Sequence, residues 1–384
     1  MSGLILQTKE KNLYKERDMR RIFLVLIVGI LAVSTMQAQE YVQSFTAQHQ
    51  FDTQFERAQQ KYSFENFKGS PKVWQKKFRA ALAELLGVAE LQRVYKDFVP
   101  KAEQIDCEDI GYATRERWQI WTEPTMVIPF MIVRPKGELV NVPLCITSQG
   151  HDDNPELYAG IYRDEEERVY LFDGERDLAL RAARNGFIAI LPTTRGFGKT
   201  MHADDIRKKK ENSCRYYQLR DQLVGRTLVG DRVWDVMKIL DWALANLPVD
   251  KNRVIQTGNS GGGTVSIYAG ALDERITFCA PSACFCCYHA SIGAIGHCHC
   301  NYVPGIMNLC NMGDLAGLVA PRKLLIINGK LDDIFPIEGA REEFKTTKAV
   351  YEAFGAAGEC EMYEGPEGHR YYPLGFYDFY SRHF

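Results

Sequence analysis

Gly258-Asn259-Ser260-Gly261-Gly262-Gly263 stands between an apolar run, Val254 to Thr257, and a helix-compatible stretch beginning at Thr264. A serine placed on a sharp strand-to-helix turn presents its hydroxyl outward. The crowded backbone there leaves no room for side chains two residues away, which glycines at 258 and 262 satisfy. The plainer reading is a tight turn whose serine only caps the helix. A serine hydroxyl is weak at neutral pH, so it needs a base, and the base needs an acid to orient it. Leu324 to Ile327 lead into Asn328-Gly329-Lys330-Leu331-Asp332-Asp333, which puts a carboxylate just past a strand end. Spacing from Gly329 and Pro336 selects Asp332, with Asp333 as a solvated neighbour. Further on, Glu364-Gly365-Pro366-Glu367-Gly368-His369 supplies a loop histidine after the last candidate strand, a position none of the other histidines has.

Acyl transfer through Ser260 would also need donors for a developing oxyanion. The backbone N–H of Gly261 and that of His151, in Gln149-Gly150-His151 after the first parallel strand, are the candidates. The remaining histidines have plainer readings: His49 and His383 face solvent near the ends, and His202 follows a surface turn. Cys284, Cys286, Cys287, His289, His297, Cys298, His299 and Cys300 crowd into one segment. No repeated Cys-x2-Cys knuckle marks a structural zinc site there, so buried free thiols are expected, with a disulfide or a metal as alternatives.

These residues need a frame to hold them. After Pro143 the pattern is short apolar runs separated by helical stretches, the signature of a parallel sheet with crossover helices. Strands are expected at 144–147, 187–191, 253–257, 277–280, 323–327 and 359–363. Helices are expected at 173–185, 227–246, 264–271 and 339–354. Alternation around Trp118 to Trp121 and Val127 to Val133 predicts two antiparallel strands joined at Glu123-Pro124-Thr125. Residues 39–105 read as a helical lead-in and 106–384 as one α/β catalytic domain.

With 47 Lys+Arg against 49 Asp+Glu and 46% hydrophobic residues, the profile is that of a globular protein without the basic surface that nucleic acid demands. Arg20 and Arg21 precede an apolar run to Val33, and Ala38 offers a cleavage point. A secretory signal over residues 1–38 is therefore expected, with Met19 as a plausible start and an uncleaved signal anchor as the alternative. Export would leave the protein periplasmic or extracellular, with no stable membrane anchor. The eleven cysteines would then meet an oxidising compartment.

Thr193-Thr194-Arg195-Gly196-Phe197-Gly198, the Ser260 turn, His297-Cys298-His299-Cys300-Asn301-Tyr302-Val303-Pro304-Gly305 and Ala320-Pro321-Arg322 together resemble the acetyl xylan esterase-like, dienelactone-hydrolase-related branch of the α/β hydrolases. The resemblance runs from residue 105 to 384 and implies the α/β-hydrolase fold with Ser260, Asp332 and His369 as a triad. It implies substrate contacts from Tyr302 and His297 on a cap, with Arg195 beside them, and needs no metal or organic cofactor. One departure stands out: the branch's usual His-Gly before the oxyanion donor is Gln149-Gly150 here. The implied activity is hydrolysis of a small-molecule or oligosaccharide ester, with a carbohydrate acetyl ester as the expected substrate. The competing readings are a prolyl-oligopeptidase-like peptidase and a non-catalytic binding protein on the same fold.

Overall fold

Short, strongly apolar runs such as Ile188-Ala189-Ile190-Leu191 suit strands whose side chains are buried on both faces of a sheet, and that is where the chain puts them. In the computed structural model, which describes residues 45–384, the strands are β1 (Lys101–Asp109), β2 (Ala113–Glu123), β3 (Met126–Pro135), β4 (Val142–Ser148), β5 (Ile188–Pro192), β6 (Val249–Asn259), β7 (Phe278–Ser282), β8 (Lys323–Gly329) and β9 (Cys360–Gly365). They form one nine-stranded sheet in the order β1-β2-β3-β5-β4-β6-β7-β8-β9. Strands β4 to β9 run parallel, while β1, β2 and β3 are antiparallel to their neighbours. The crossing order 5-4-6 reverses the direction of winding near β4 and β6, and at such a point strand ends open a crevice for ligands.

The helices that cover the sheet and line its crevice include α1 (Pro71–Leu86), α2 (Leu178–Arg184), α3 (Cys214–Asp221), α4 (Leu228–Asn246), α5 (Gly261–Leu272), α6 (Ile337–Ala353) and α7 (Pro373–His383). Each parallel-sheet element expected from the apolar runs is present, with ends displaced by a few residues. Helix α1 starts at Ser70, whose hydroxyl accepts the Val73 N–H, and ends at Gly87 in a left-handed conformation. Its buried stripe of Trp74, Phe78, Leu82 and Leu86 repeats at a spacing of four. The Gln75 amide ties it to the Leu318 carbonyl at 3.1 Å.

Two stretches depart from the sequence reading. Residues 101–105, expected to be helical, open strand β1 instead. Lys101–Asp109 is almost wholly exposed and has no apolar alternation, so the ladder to β2 holds it and periodicity gives no signal. The helix expected over 173–185 is reduced to α2. The chain turns back at Gly174, where a Cβ would lie 2.4 Å from the Tyr170 carbonyl, and Asp177 then gathers Arg181 and Arg184 at 2.5 and 3.1 Å.

By contacts the chain divides into Met1–Glu56 and Arg57–Phe384. The described part of the first unit carries a helix, Gln48–Glu56, with Gln48 donating to Asp52 at 2.9 Å. The expected signal segment and the Met19 start lie outside the described residues. Among the described residues no helix is long and apolar enough to cross a membrane.

Candidate active site

The Ser260 turn is built by close backbone approach. Strand β6 ends at Asn259, α5 begins at Gly261, and Ser260 between them has φ 54° and ψ −117°, a strained conformation for a residue with a side chain. Its N–H donates to the Ser282 carbonyl at 2.9 Å, which fixes the turn against β7. A Cβ on Gly258 would come within 2.5 Å of the Ser148 carbonyl, and one on Gly262 within 2.0 Å of the same atom. The two glycines thus let the end of β4 pass beneath the turn.

Asp332 and His369 are brought together in a similar way. A Cβ on Gly329 would stand 2.1 Å from the Gly368 carbonyl, and the Leu331 N–H donates to the Glu367 carbonyl at 2.9 Å. The loops after β8 and β9 therefore run side by side. The fully buried Asp332 carboxylate lies 2.9 Å from His369 Nδ1 through Oδ2, while Oδ1 accepts the Ile334 and Phe335 N–H groups, both at 2.9 Å. A carboxylate held on both oxygens has no freedom to leave the ring. Asp333 is exposed. Phe335 stacks on the His369 ring, with centroids 5.9 Å apart.

Ser260 and His369 line one cavity of about 380 Å³, together with Gly150, His151, Asp152, Gly261 and His297. That volume lies in the range of roughly 300–1,000 Å³ usual for small-molecule sites. A sequence model of the Abhydrolase family matches residues 31–350. The chain belongs to that family.

Structural likeness to other proteins agrees with an Abhydrolase-family fold. The "putative acetyl xylan esterase (BF1801)" of Bacteroides fragilis superimposes with a TM-score of 0.67 at 18% identity, covering 85% of this chain and 84% of that one. "Methylesterase BT1017" gives 0.62 at 19% identity, over 86% and 68% of the two chains. The glucuronoyl esterase of Solibacter usitatus gives 0.56 at 14%, over 73% and 84%. In sequence, "Putative hydrolase YtaP" of Bacillus subtilis is 29% identical over 150 residues, 38% of this chain and half the length of that relative. At such identities the solved structures show the fold.

Two expected substrate contacts are displaced. Arg195 does not line the cavity: it is 3% exposed and pairs with Glu123 at 2.6 Å, Asp235 at 2.7 Å and Asp231 at 3.1 Å. A guanidinium surrounded by three buried carboxylates is a structural anchor, drawn inward because those acids need a counter-charge. Tyr302 also stays outside. Its hydroxyl donates to the Ile295 carbonyl at 3.3 Å and accepts the His297 N–H at 3.2 Å, so it braces the backbone behind His297. His297 does reach the cavity, 3.2 Å from the Ser291 hydroxyl and edge-on to Phe335. Burial, and then the neighbouring His151 and His369, hold its pKa below the ordinary imidazole value.

Among the lining residues that the sequence did not single out are Asp152, Tyr170 and Arg176. Asp152 accepts the hydroxyls of Tyr158 at 2.9 Å and Tyr170 at 2.7 Å, and the Arg176 guanidinium lies 3.7 Å from the Tyr170 ring centroid. Gly174 inside the presumed helix was the available signal, since an internal glycine marks a break. The segment from Cys284 to Cys300 holds no disulfide, and Cys298 and Cys300 turn toward His151 and Cys214.

Proposed function

We propose that this chain is an exported serine carboxylic-ester hydrolase, with an acetyl ester of a carbohydrate as its substrate class. The observation that carries the proposal is Ser260, held at positive φ between β6 and α5 in the same cavity as the His369–Asp332 pair. His369 takes the proton of Ser260 as the hydroxyl attacks the ester carbonyl, and Asp332 steadies the imidazolium that forms. The oxyanion rests on the N–H groups of Gly261 and His151. Gly261 opens a helix, so its N–H lacks an intrahelical acceptor, and that of His151 meets no protein acceptor among the described residues. The alcohol leaves with the proton from His369, and water repeats the sequence on the acyl-enzyme.

Arg176 favours a second reading of the substrate, an ester that also carries a carboxylate. Its buried Nε has no hydrogen-bond partner, and among the described residues no acidic side chain pairs with its guanidinium.

One experiment tests both. The purified protein is exposed to a fluorophosphonate probe and then offered acetyl esters of neutral sugars and acetyl esters of uronic acids, the latter carrying a free carboxylate. Covalent labelling is expected, and Ser260→Ala should abolish it and lower kcat by roughly 10⁴-fold or more. Labelling that survives the substitution overturns the mechanism. Should the anionic ester be the better substrate, Arg176→Gln should raise its KM about 10-fold, the worth of one charge-assisted hydrogen bond, while sparing the neutral ester.

A further inference from the structure

Beside the Ser260 cavity lies a second cluster of reactive side chains that acyl transfer does not use. His151 comes from the loop after β4, Cys214 opens α3, and Cys298 precedes and Cys300 lies within the short turn His299–Asn301. Their four ligating atoms lie within 4.8 Å of one another. His151 Nε2 is 3.2 Å from Cys300 Sγ, and the Cys300 and Cys298 sulfurs are 3.5 Å apart. With zinc–sulfur bonds of about 2.3 Å and zinc–nitrogen bonds of about 2.0 Å, a tetrahedral ion needs edges of roughly 3.8 Å between sulfurs and 3.5 Å from sulfur to nitrogen. A disulfide would need sulfurs about 2.05 Å apart.

A second observation is independent of that spacing. Arg232 is 4% exposed, and its Nη2 lies 3.1 Å from Cys214 Sγ. Its other bonds go to the Arg195 carbonyl, at 3.1 and 2.7 Å, and among the described residues no carboxylate pairs with it. A buried guanidinium without an anion is costly. Three thiolates around a divalent cation carry one net negative charge, which this guanidinium balances.

We propose that His151, Cys214, Cys298 and Cys300 form a closed four-ligand site for a soft divalent ion of the zinc type. Three sulfurs and one imidazole select such an ion, and full coordination by protein makes the site structural. Binding displaces the three thiol protons to solvent and leaves the imidazole neutral. The ion joins three segments far apart in sequence, two of which border the Ser260 cavity through His151 and Cys298. It therefore fixes one wall of that cavity, whatever substrate enters.

The test uses the full chain, purified under reducing conditions, stripped with a chelator, and reloaded with Zn²⁺ or Co²⁺ before gel filtration. One ion per chain is expected by elemental analysis, with a thiolate-to-cobalt charge-transfer band in the near ultraviolet and a higher Tm after loading. Cys298→Ser, at a half-buried position that tolerates the change, and Cys300→Ser should each lose the ion and the band. Arg232→Met should weaken affinity about 10- to 100-fold, as losses next to metal ligands do. Ser260→Ala and the exposed Cys107→Ser should bind as the parent does, which separates this site from the hydrolytic reading. Background metal in folded protein, undiminished binding by Cys298→Ser, or a mapped disulfide joining two of the three cysteines would each overturn the proposal.

Discussion

The floor and the wall of the cavity are held by different forces. On the floor, Ser260, Asp332 and His369 sit on loops at strand ends, placed by main chains that touch at Gly258, Gly262 and Gly329. In the wall and the scaffold beside it, side chains do the pinning: Asp152 is held by two tyrosines, Arg195 by three carboxylates, Cys214 by Arg232. Backbone contact constrains which residue types fit at a local position. Side-chain contact constrains only pairs of distant positions, so the two regions should fail in different ways.

The largest effect is expected in the scaffold beside the wall. Arg195→Ala leaves Glu123, Asp231 and Asp235 buried around a missing charge, with Arg226 alone reaching two of them at 3.1 and 2.8 Å. Removing one partner from such a network costs about 3–5 kcal/mol. Urea unfolding should read this as a lower midpoint, with the slope unchanged. Fluorophosphonate labelling of the fraction still folded should persist, because the floor does not touch the network. A loss of under about 1 kcal/mol, the value of an exposed pair, would mean the network is solvated and the contrast fails.

Gly262→Ala tests the floor directly. The added methyl would overlap the Ser148 carbonyl at 2.0 Å and crowd the Gln149 carbonyl at 2.6 Å, neither of which can yield without moving β4. Overpacking of this kind costs roughly 1–3 kcal/mol. It should also slow labelling of Ser260 disproportionately, since the turn itself must shift. Gly296→Ala is the matched control on the wall: Gly296 also lines the cavity, yet nothing lies within 4 Å of its added methyl. Thermal melting should find that variant within about 0.5 kcal/mol of the parent.

This contrast also explains what could be read from the sequence. The glycines around Ser260, the acid past Leu324 to Ile327 and the histidine after Gly368 lie on elements whose apolar runs are visible, so fold and floor were legible together. Arg195 was misplaced because its loop resembles one beside a pocket, while the acids that claim it come from residues 123, 231 and 235. The grouping of His151 with Cys214, Cys298 and Cys300 draws on segments from residue 151 to residue 300, and no local spacing announces it. Strand β1 was hidden for another reason: an exposed edge strand has no core to impose alternation on it.

A further effect appears only when pH is varied, and it arises at a residue that does not line the cavity. Glu343 on α6 accepts the Gly313 N–H at 2.7 Å and is 9% exposed. Burial pushes its pKa from 4.5 up to about 8, with Asp314 adding to the rise. The folded chain therefore keeps a proton at Glu343 that the unfolded chain releases above 4.5. Stability from this group is complete below that value and is lost as pH rises through about 8. At about 1.4 kcal/mol per pH unit, the parent should lose up to roughly 3–4 kcal/mol between pH 5 and 8 through this residue. Glu343→Gln keeps an acceptor for Gly313 but cannot ionise. Its Tm should match the parent's near pH 5 and exceed it at pH 8, and parallel Tm curves would overturn the raised pKa of Glu343.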